Sequence, residues 1–319
     1  MKKILCLLMS CLLFVMAGCS GHSKNLKFGA ADIGGVYYSF ASTFTQLADN
    51  EIDGYTFETK TTAGSVANLR LISDGYIDLA IVQADLLSDA YNATGTFADK
   101  KYQKGYKAVA SLYTECCQIV VRKDSGITGI DDLINKTVSV GASESGSEKN
   151  AEQILKMSGI TDELINKVNM DYTEAAEKLK AGEIDAFFCT AGTRTEVIGQ
   201  LSKECDIRLI SLDDKCIDKM LSAYSLCEKY TIPAGTYNGQ DSDVTTIGVK
   251  AVLIAKQSLS DDVIKNVTKT IYEHADDFKY ATSLDISFDI NTAADGVDIP
   301  FHSGAAAYYT ERGINVLTE

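Results

Sequence analysis

The alternation of short apolar strands with amphipathic helices is the feature that most constrains the fold of this chain. The sequence predicts strands at residues 26–30, 55–59 and 77–82, and helices at 36–47 and 66–73 between them. Strand–helix–strand repeats of this kind require parallel strands that are covered by helices on both faces. We therefore expect an α/β fold.

Two local repeats predict that the chain forms two lobes. Residues 72–80 resemble 179–187, because each segment is a helix end, a glycine, an Ile-Asp pair and an apolar strand. Residues 119–125 and 252–258 are both strands that end in a basic residue and enter a polar turn. If this second pair forms adjacent strands that cross between the lobes, the residues between them belong to one lobe.

The first 18 residues predict a secretory signal. Two lysines precede an apolar stretch at 4–15 that is too short to span a bilayer, and Ala-Gly precedes Cys19. This ending resembles a bacterial lipobox, in which the cysteine is acylated and becomes the new N-terminus. The alternative is an ordinary signal peptide in which Cys19 has no role. We expect a signal peptide at 1–18, a lipidated Cys19 with a polar tether at 19–25, and a position outside the cytoplasm on the periplasmic or outer cell surface.

The charge balance and the small number of histidines exclude several classes of function. The 319 residues carry a net charge of −14 and contain three histidines. An acidic chain argues against nucleic acid and against electrostatic binding to anionic lipid. GxSxG and HExxH patterns are absent from the sequence. We therefore expect neither an enzyme nor a bound cofactor or metal.

Six cysteines remain once the leader and Cys19 are set aside. An even number outside the cytoplasm permits disulfides. Three of the six lie in apolar, strand-like runs, where a buried thiol is expected; the other three are better candidates for bridges. The sequence leaves the pairing open among Cys116, Cys117, Cys189, Cys205, Cys216 and Cys227.

Three helix starts rich in glycine and hydroxyl groups predict a ligand site. They lie at residues 32–38, 61–65 and 141–148. Helix N-termini present free N–H groups and a positive dipole end, and in open α/β sheets they gather at the carboxyl ends of the strands. This pattern favours a negatively charged ligand group such as a carboxylate. The alternatives are purely local: a tight turn at 34–35, and a capping box between Ser145 and Glu148.

The chain resembles the TAXI group of substrate-binding proteins of tripartite ATP-independent periplasmic (TRAP) transporters. The resemblance covers most of the chain after the leader and rests on ordered blocks at residues 34–38, 62–69, 78–85, 90–92, 121–126, 146–150, 232–240 and 299–309. It implies a two-lobed, type II periplasmic-binding-protein fold in which each lobe is a mixed sheet flanked by helices and two hinge strands join the lobes. Lobe I would comprise residues 26–115 and 256–319, and lobe II residues 116–255.

The resemblance also implies a function and a partner. The protein would be a monomer that captures a small carboxylate, glutamate or glutamine or a related amino acid, and delivers it to the permease of a TRAP transporter. Two alternatives stay open: the binding protein of an ATP-driven importer, and a ligand-sensing surface lipoprotein.

The helix starts and the resemblance together define a set of candidate ligand-binding residues. Helix N-termini would take the ligand carboxylate, and Asp85 or Glu148 an ammonium group. Arg194 would pair with a carboxylate or lie on the surface. The full set is Gly34, Gly35, Tyr37, Thr62, Ser65, Asn68, Gln83 and Asp85 from the N-terminal part, and Ser143, Ser145, Ser147, Glu148, Thr190, Thr193 and Arg194 from the other part.

Overall fold

The computed structural model describes residues 23–99, 104–282 and 288–319. The predicted signal peptide and Cys19 lie outside the described residues. The predicted tether extends too far, because the first strand begins at Lys24. Lys24 pairs with Tyr55 at the start of a parallel ladder, so backbone hydrogen bonding determines where the strand begins.

Ten strands are described: β1 (Lys24–Gly29), β2 (Tyr55–Lys60), β3 (Leu79–Gln83), β4 (Tyr106–Arg122), β5 (Thr137–Ser139), β6 (Asn166–Val168), β7 (Ala186–Ala191), β8 (Ile207–Leu209), β9 (Cys227–Ile232) and β10 (Val244–Lys256). The described α-helices are α1 (Val36–Glu51), α2 (Ser65–Ser73), α3 (Ala84–Asn92), α4 (Gly146–Ser158), α5 (Tyr172–Ala181), α6 (Glu196–Glu204), α7 (Asp214–Ala223), α8 (Asp261–Glu273), α9 (Ala275–Thr282) and α10 (Ser303–Thr310).

The strands form one mixed sheet in the order β2-β1-β3-β10-β4-β7-β5-β6, with β8 on β4 and β9 on β10. β1 is parallel to β2 and β3, and β5 is parallel to β6 and β7. β4 and β10 are antiparallel to each other and lie at the centre. The predicted α/β class is confirmed as a mixed sheet flanked by helices.

The long strands β4 and β10 run through two separately packed parts of the molecule. The first hydrophobic core combines buried residues within 26–113 and 249–309. Two further cores lie within 116–247, and they take alternate residues of β4, so they pack on opposite faces of the sheet. We call the part around the first core lobe I and the rest lobe II.

The core packing bears on where one lobe ends and the other begins. The sequence-based boundary after residue 255 assigns 249–255 to lobe II, whereas these residues pack in the first core. The boundaries themselves stay a prediction. An apolar strand shared by two cores has no local signal at the point where it passes from one core to the other.

The Ile-Asp repeat has the same structural role in each lobe. The Lys27 backbone N–H donates to the Asp78 carboxylate (2.9 Å), and the Asp78 N–H donates back to the Lys27 carbonyl. The Thr137 N–H donates to the Asp185 carboxylate (2.8 Å), and the Asp185 N–H returns a bond to the Thr137 carbonyl. Each aspartate therefore ties the start of the strand that follows it to the neighbouring parallel strand, which explains the resemblance between the two segments.

The six described cysteines are free thiols. Cys216 and Cys227, which the sequence offers as bridge candidates, are buried in a lobe II core, and Cys205 is half-buried. Within the described ranges, every helix is too short or too polar to cross a membrane, and no cluster of three metal-binding side chains occurs.

Candidate functional site

A cavity lies between the two lobes at the carboxyl ends of the parallel strands. The loops that follow β1, β2 and β5 contribute to its wall, and so do the last residues of β3 and β7. Helices α1, α2 and α4 begin there, as the glycine- and serine-rich patterns predict. The N-termini of three helices, with the positive ends of their dipoles, therefore face one small space.

Seven of the candidate residues line this cavity. Gly35 and Tyr37 come from the start of α1, and Ser65 begins α2. The Ser65 hydroxyl accepts a hydrogen bond from the Gln83 backbone N–H (3.1 Å), which ties the end of β3 to α2. The lining candidates are Gly35, Tyr37, Ser65, Gln83, Ser145, Ser147 and Thr190. Ligand binding by these residues stays a prediction.

Glu115, a residue that the sequence reasoning missed, also lines the cavity. It belongs to β4, is 3% exposed, and accepts a hydrogen bond from the Tyr37 hydroxyl (2.8 Å). Burial raises the pKa of the Glu115 carboxyl to about 8. A lone acid inside a strand that is otherwise nearly all apolar is the signal that could have identified it.

Several buried polar atoms near the cavity have no hydrogen-bond partner among the described residues. Gln83 Oε1 and Thr190 Oγ1 are in the lining itself, and the Tyr113 hydroxyl is buried on the same strand as Glu115. An unsatisfied buried polar atom costs about 1–3 kcal/mol. Such atoms therefore indicate a site completed by a polar ligand or by water.

The lobe II wall is held together by a three-residue network. The Thr190 N–H donates to Ser147 Oγ (2.8 Å), and the Tyr172 hydroxyl donates to the Thr190 carbonyl (2.9 Å). Ser147 Oγ lies 2.6 Å from the Tyr172 hydroxyl oxygen. Since the Tyr172 proton is used on Thr190, the Ser147 hydroxyl donates to Tyr172. The predicted ligand contact of Ser147 is thus already engaged in positioning β7 against α4.

Direct contacts across the cleft hold the lobes close together. The Arg70 guanidinium of lobe I makes a two-pronged ion pair with Glu144 of lobe II (2.7 and 3.2 Å). The Ala67 N–H donates to the Glu144 carbonyl (3.1 Å). On the other side, the Tyr172 N–H donates to Asp32 Oδ2 (3.4 Å). Burial, with repulsion from the neighbouring Asp171, raises the pKa of Asp32 to about 6.

Two glycines allow this close approach. A Cβ at Gly64, whose φ is +120°, would lie 3.4 Å from Ser145 Cα in the opposite lobe. A Cβ at Gly146 would overlap the Gln83 side chain, 2.7 Å from its Nε2. The cavity left between the lobes is about 30 Å³, whereas one enclosed water needs roughly 10–15 Å³. A solute of amino-acid size therefore needs the lobes to separate before it enters.

Three candidate residues, Thr62, Asn68 and Glu148, lie outside the cavity and stabilise lobe I or α4. Asn68 is fully buried, and its amide donates to the Ala30 and Ile81 carbonyls (2.7 and 2.9 Å) while its oxygen accepts from Thr62. Thr62 and Asn68 therefore connect the ends of β1 and β3. Glu148 accepts from the Glu144 N–H (2.9 Å) and from Asn169 (2.9 Å). Ser145, a residue of the lining, caps α4, because its Oγ accepts from the Glu148 N–H (3.0 Å). This is one half of the predicted capping box; the Ser145 N–H donates to the Ala142 carbonyl and not to Glu148.

The remaining candidates are also outside the lining. Asp85 is 8% exposed in the first turn of α3, with both carboxylate oxygens unpaired within the described structure. Burial raises its pKa to about 6. Gly34 packs against Thr173 of lobe II. Ser143 and Arg194 are exposed and Thr193 is half-buried, and Arg194 has a left-handed φ of +66°. Arg194 therefore corresponds to the surface alternative.

Sequence reasoning missed ten lining residues: Ala31, Asp32, Val36, Ala63, Gly64, Glu115, Ala142, Gly146, Tyr172 and Ala191. Most of them are small and lie next to predicted residues in the same loops, so the helix starts located them approximately. Tyr172 begins α5 after an Asp cap, and no glycine or serine pattern marks it.

Several solved bacterial structures share this fold. PhnD1 from Prochlorococcus marinus, in complex with methylphosphonate, aligns with a TM-score of 0.58 at 12% identity, over 83% of this chain and 93% of that one. A putative L-cystine ABC transporter from Listeria monocytogenes aligns at 0.52 and 14%, over 82% and 94%. The ligand-binding component of an ABC-type import system from Staphylococcus aureus, with zinc bound, aligns at 0.51 and 12%, over 91% and 92%.

These likenesses show the fold, and the sequence itself places the chain in a family. Residues 28–313 match the NMT1-like family, a span that begins in β1 and ends just beyond α10. It includes both lobes and every residue of the cavity lining. By this match across nearly the whole described chain, the protein belongs to the NMT1-like family.

Proposed function

We propose that this protein is a solute-binding lipoprotein outside the cytoplasm, attached to the cell membrane through a lipid on Cys19. It binds a small carboxylate, glutamate or glutamine or a related amino acid, and acts as a monomer. It delivers the ligand to the membrane permease of a TRAP-type secondary transporter.

The observation that carries the proposal is a cavity built jointly by two lobes, each of which supplies polar groups to it. Lobe I supplies Ser65 and Gln83, and lobe II supplies Ser145 and Thr190. The unpaired Gln83 and Thr190 oxygens need a partner that this part of the chain does not supply. A solute that satisfies groups from both lobes stabilises the closed arrangement by its differential affinity.

The charge pattern of the cavity supports an amino acid within the carboxylate class. Three helix N-termini favour a carboxylate, while Glu115 is an acid on the same wall. A zwitterion matches both features. A ligand of about ten non-hydrogen atoms can reach about −8 kcal/mol, or micromolar affinity, within the usual efficiency limit.

The second candidate is the binding protein of an ATP-driven importer. It is favoured by the similar solved structures described as ABC import components. The TRAP assignment is supported by the sequence blocks that resemble the TAXI group. The two candidates share the binding step and differ only in the energy source of the transporter.

A thermal-shift screen of the purified protein against amino acids, dicarboxylates and phosphonates tests the ligand. At a concentration of 100 times Kd, a ligand adds about 2.7 kcal/mol to the free energy of unfolding. We expect glutamate or glutamine to raise the melting temperature. If only a phosphonate or only cystine does so, the ligand assignment is wrong although the binding role stands.

Uptake of the radiolabelled ligand by the source cells tests the transporter. For a TRAP partner, uptake stops when an ionophore collapses the ion gradient while cellular ATP is maintained. Uptake that persists without the gradient and stops on ATP depletion identifies an ATP-driven importer. Uptake unchanged by deletion of the gene for this protein contradicts both candidates.

A further inference from the structure

Glu115 lines the cavity without a cationic partner. Its carboxylate accepts from the Tyr37 hydroxyl at 2.8 Å and is 3% exposed. In the part of the chain that the structure describes, the lining contains no lysine, arginine or histidine. A buried carboxyl in such a position is costly in its ionised form unless a cation reaches it.

A second acceptor faces the same space. Gln83 is 1% exposed, and its Oε1 has no partner among the described residues. The Gln83 side chain lies against Gly146 of the opposite lobe, so it is at the point where the lobes meet. An unpaired amide oxygen together with a carboxylate forms an acceptor-rich wall suited to a group that donates several hydrogen bonds and carries positive charge.

We infer that Glu115 binds the ammonium group of the solute, with Gln83 Oε1 as a second acceptor. The inference rests on the proposed function and makes it more specific. The cleft then selects a zwitterionic amino acid over a dicarboxylate of the same length that lacks the amine. The carboxylate of the amino acid lies toward the N-termini of α2 and α4.

The groups around Glu115 are the uncharged amide of Gln83, which hydrogen-bonds the carboxyl, and a set of acids, phenols and thiols. They come from every side: Tyr37 on α1, Asp85 on α3, Tyr113 and Cys116 on β4, Tyr172 on α5, Cys189 on β7, and Asp32 in the loop before α1. Val249, paired with Glu115 on β10, is apolar. None of these groups supplies a positive charge, so the arriving ammonium is the cation.

Binding by this route releases a proton. Burial raises the Glu115 pKa to about 8, so at pH 7 the empty site holds a neutral carboxyl. The ammonium ligand keeps its three protons, the carboxyl loses one to the buffer, and an ion pair forms. With a pKa of 8, about 0.9 proton leaves at pH 7, and the affinity rises about fivefold between pH 7 and pH 8.

Titration calorimetry on the purified protein measures both quantities. L-Glutamine and L-glutamate are titrated at pH 7 in buffers of different ionisation enthalpy, and again at pH 8. Glutarate, which has the glutamate carbon chain and both carboxylates but no amine, is the matched probe. We expect proton release close to one and tighter binding at pH 8, and glutarate weaker than glutamate by at least about tenfold.

Weaker binding at pH 8, or binding without proton release, would overturn the inference. If Glu115 were a neutral donor to a ligand carboxylate, binding would weaken at pH 8 and release no proton. If glutarate binds as tightly as glutamate, the ammonium subsite is wrong while the proposed solute-binding function stands. If neither amino acid nor glutarate binds, the proposed ligand class fails and this inference fails with it.

Substitutions show which carboxyl group releases the proton on binding. Glu115→Gln keeps the shape of the side chain and is expected to weaken glutamine binding at least tenfold and to abolish proton release. Glu228→Gln, at an exposed acid on β9, is the control and keeps both. If Asp85→Asn abolishes the proton release and Glu115→Gln does not, the ammonium subsite is at Asp85 and the inference is wrong. If Glu115→Gln does not fold, the proton count of the unaltered protein decides.

Discussion

Gly146 controls closure of the lobes without controlling the fold. It is the first residue of α4, and its φ lies outside the left-handed region, so alanine suits its backbone. A Cβ at this position would overlap the Gln83 side chain of the other lobe, 2.7 Å from Nε2. Because Gln83 belongs to lobe I, the overlap exists only when the lobes are together.

The cost of Gly146→Ala therefore falls on the closed arrangement. Forcing a methyl group into a packed contact costs about 1–3 kcal/mol, which corresponds to about 5- to 150-fold weaker ligand binding. The free energy of unfolding of the ligand-free protein should stay the same or rise, because alanine favours a helix more than glycine does.

Calorimetry with L-glutamine and small-angle scattering of the ligand-bound protein measure this effect. Gly199→Ala is the matched control, since it lies in α6 with no atom within 4 Å of the added Cβ. Binding by Gly146→Ala within twofold of the unaltered protein would refute the reasoning. It would mean either that Gln83 moves aside at no cost or that the ligand is held without closure.

Three further outcomes follow from the described contacts. Glu144→Gln removes the ion pair between Arg70 and Glu144, whose side chains are 32% and 43% exposed. We expect calorimetry at low salt to show about two- to fivefold weaker ligand binding. The affinity of the control Glu204→Gln, which breaks an ion pair within lobe II, should be unchanged. Asn68→Ala leaves several buried groups unpaired and should lower the free energy of unfolding by about 3 kcal/mol in denaturant titration; a loss under 1 kcal/mol contradicts the structural role. Because the Glu115 pKa is raised to about 8, the native carboxyl keeps a proton that the unfolded chain loses near its ordinary pKa. The free energy of unfolding of the empty protein therefore falls between about pH 5 and 8, by up to about 1.4 kcal/mol per pH unit, and Glu115→Gln should reduce this slope.

The local elements of the fold could be predicted because their patterns are local. The helix that begins at Val36 and the strand that ends at Gln83 follow from spacing and from glycine stops, and both positions reach the cavity. The division of β4 between two lobes could not be predicted in this way. It is one continuous strand from Tyr106 to Arg122, and only the partners on either side, β10 and β7, divide it.

Part of the cavity lining could be predicted from local patterns. Helix starts located Ser65 and Ser145, and the polar ends of strands located Gln83 and Thr190. The Arg70–Glu144 ion pair joins residues 74 positions apart, so it has no local pattern. Glu115 is recognisable in the sequence as the single acid of β4, but only the crossing of the long strands brings it to the cavity. For Arg194 the sequence left a ligand contact and a surface position open, and the structure places it exposed in a turn with a left-handed φ.

The place of Glu115 along β4 has a mechanical consequence. It is paired with Val249 of β10, next to the point where both central strands pass from one core to the other. A group attached near a pivot moves little when the two bodies on either side swing. A solute held by Glu115 would keep this contact in both the open and the closed arrangement of the lobes, and only the far end of the solute would gain or lose contacts. Glu115 would then be the first group to bind the solute and the last to release it.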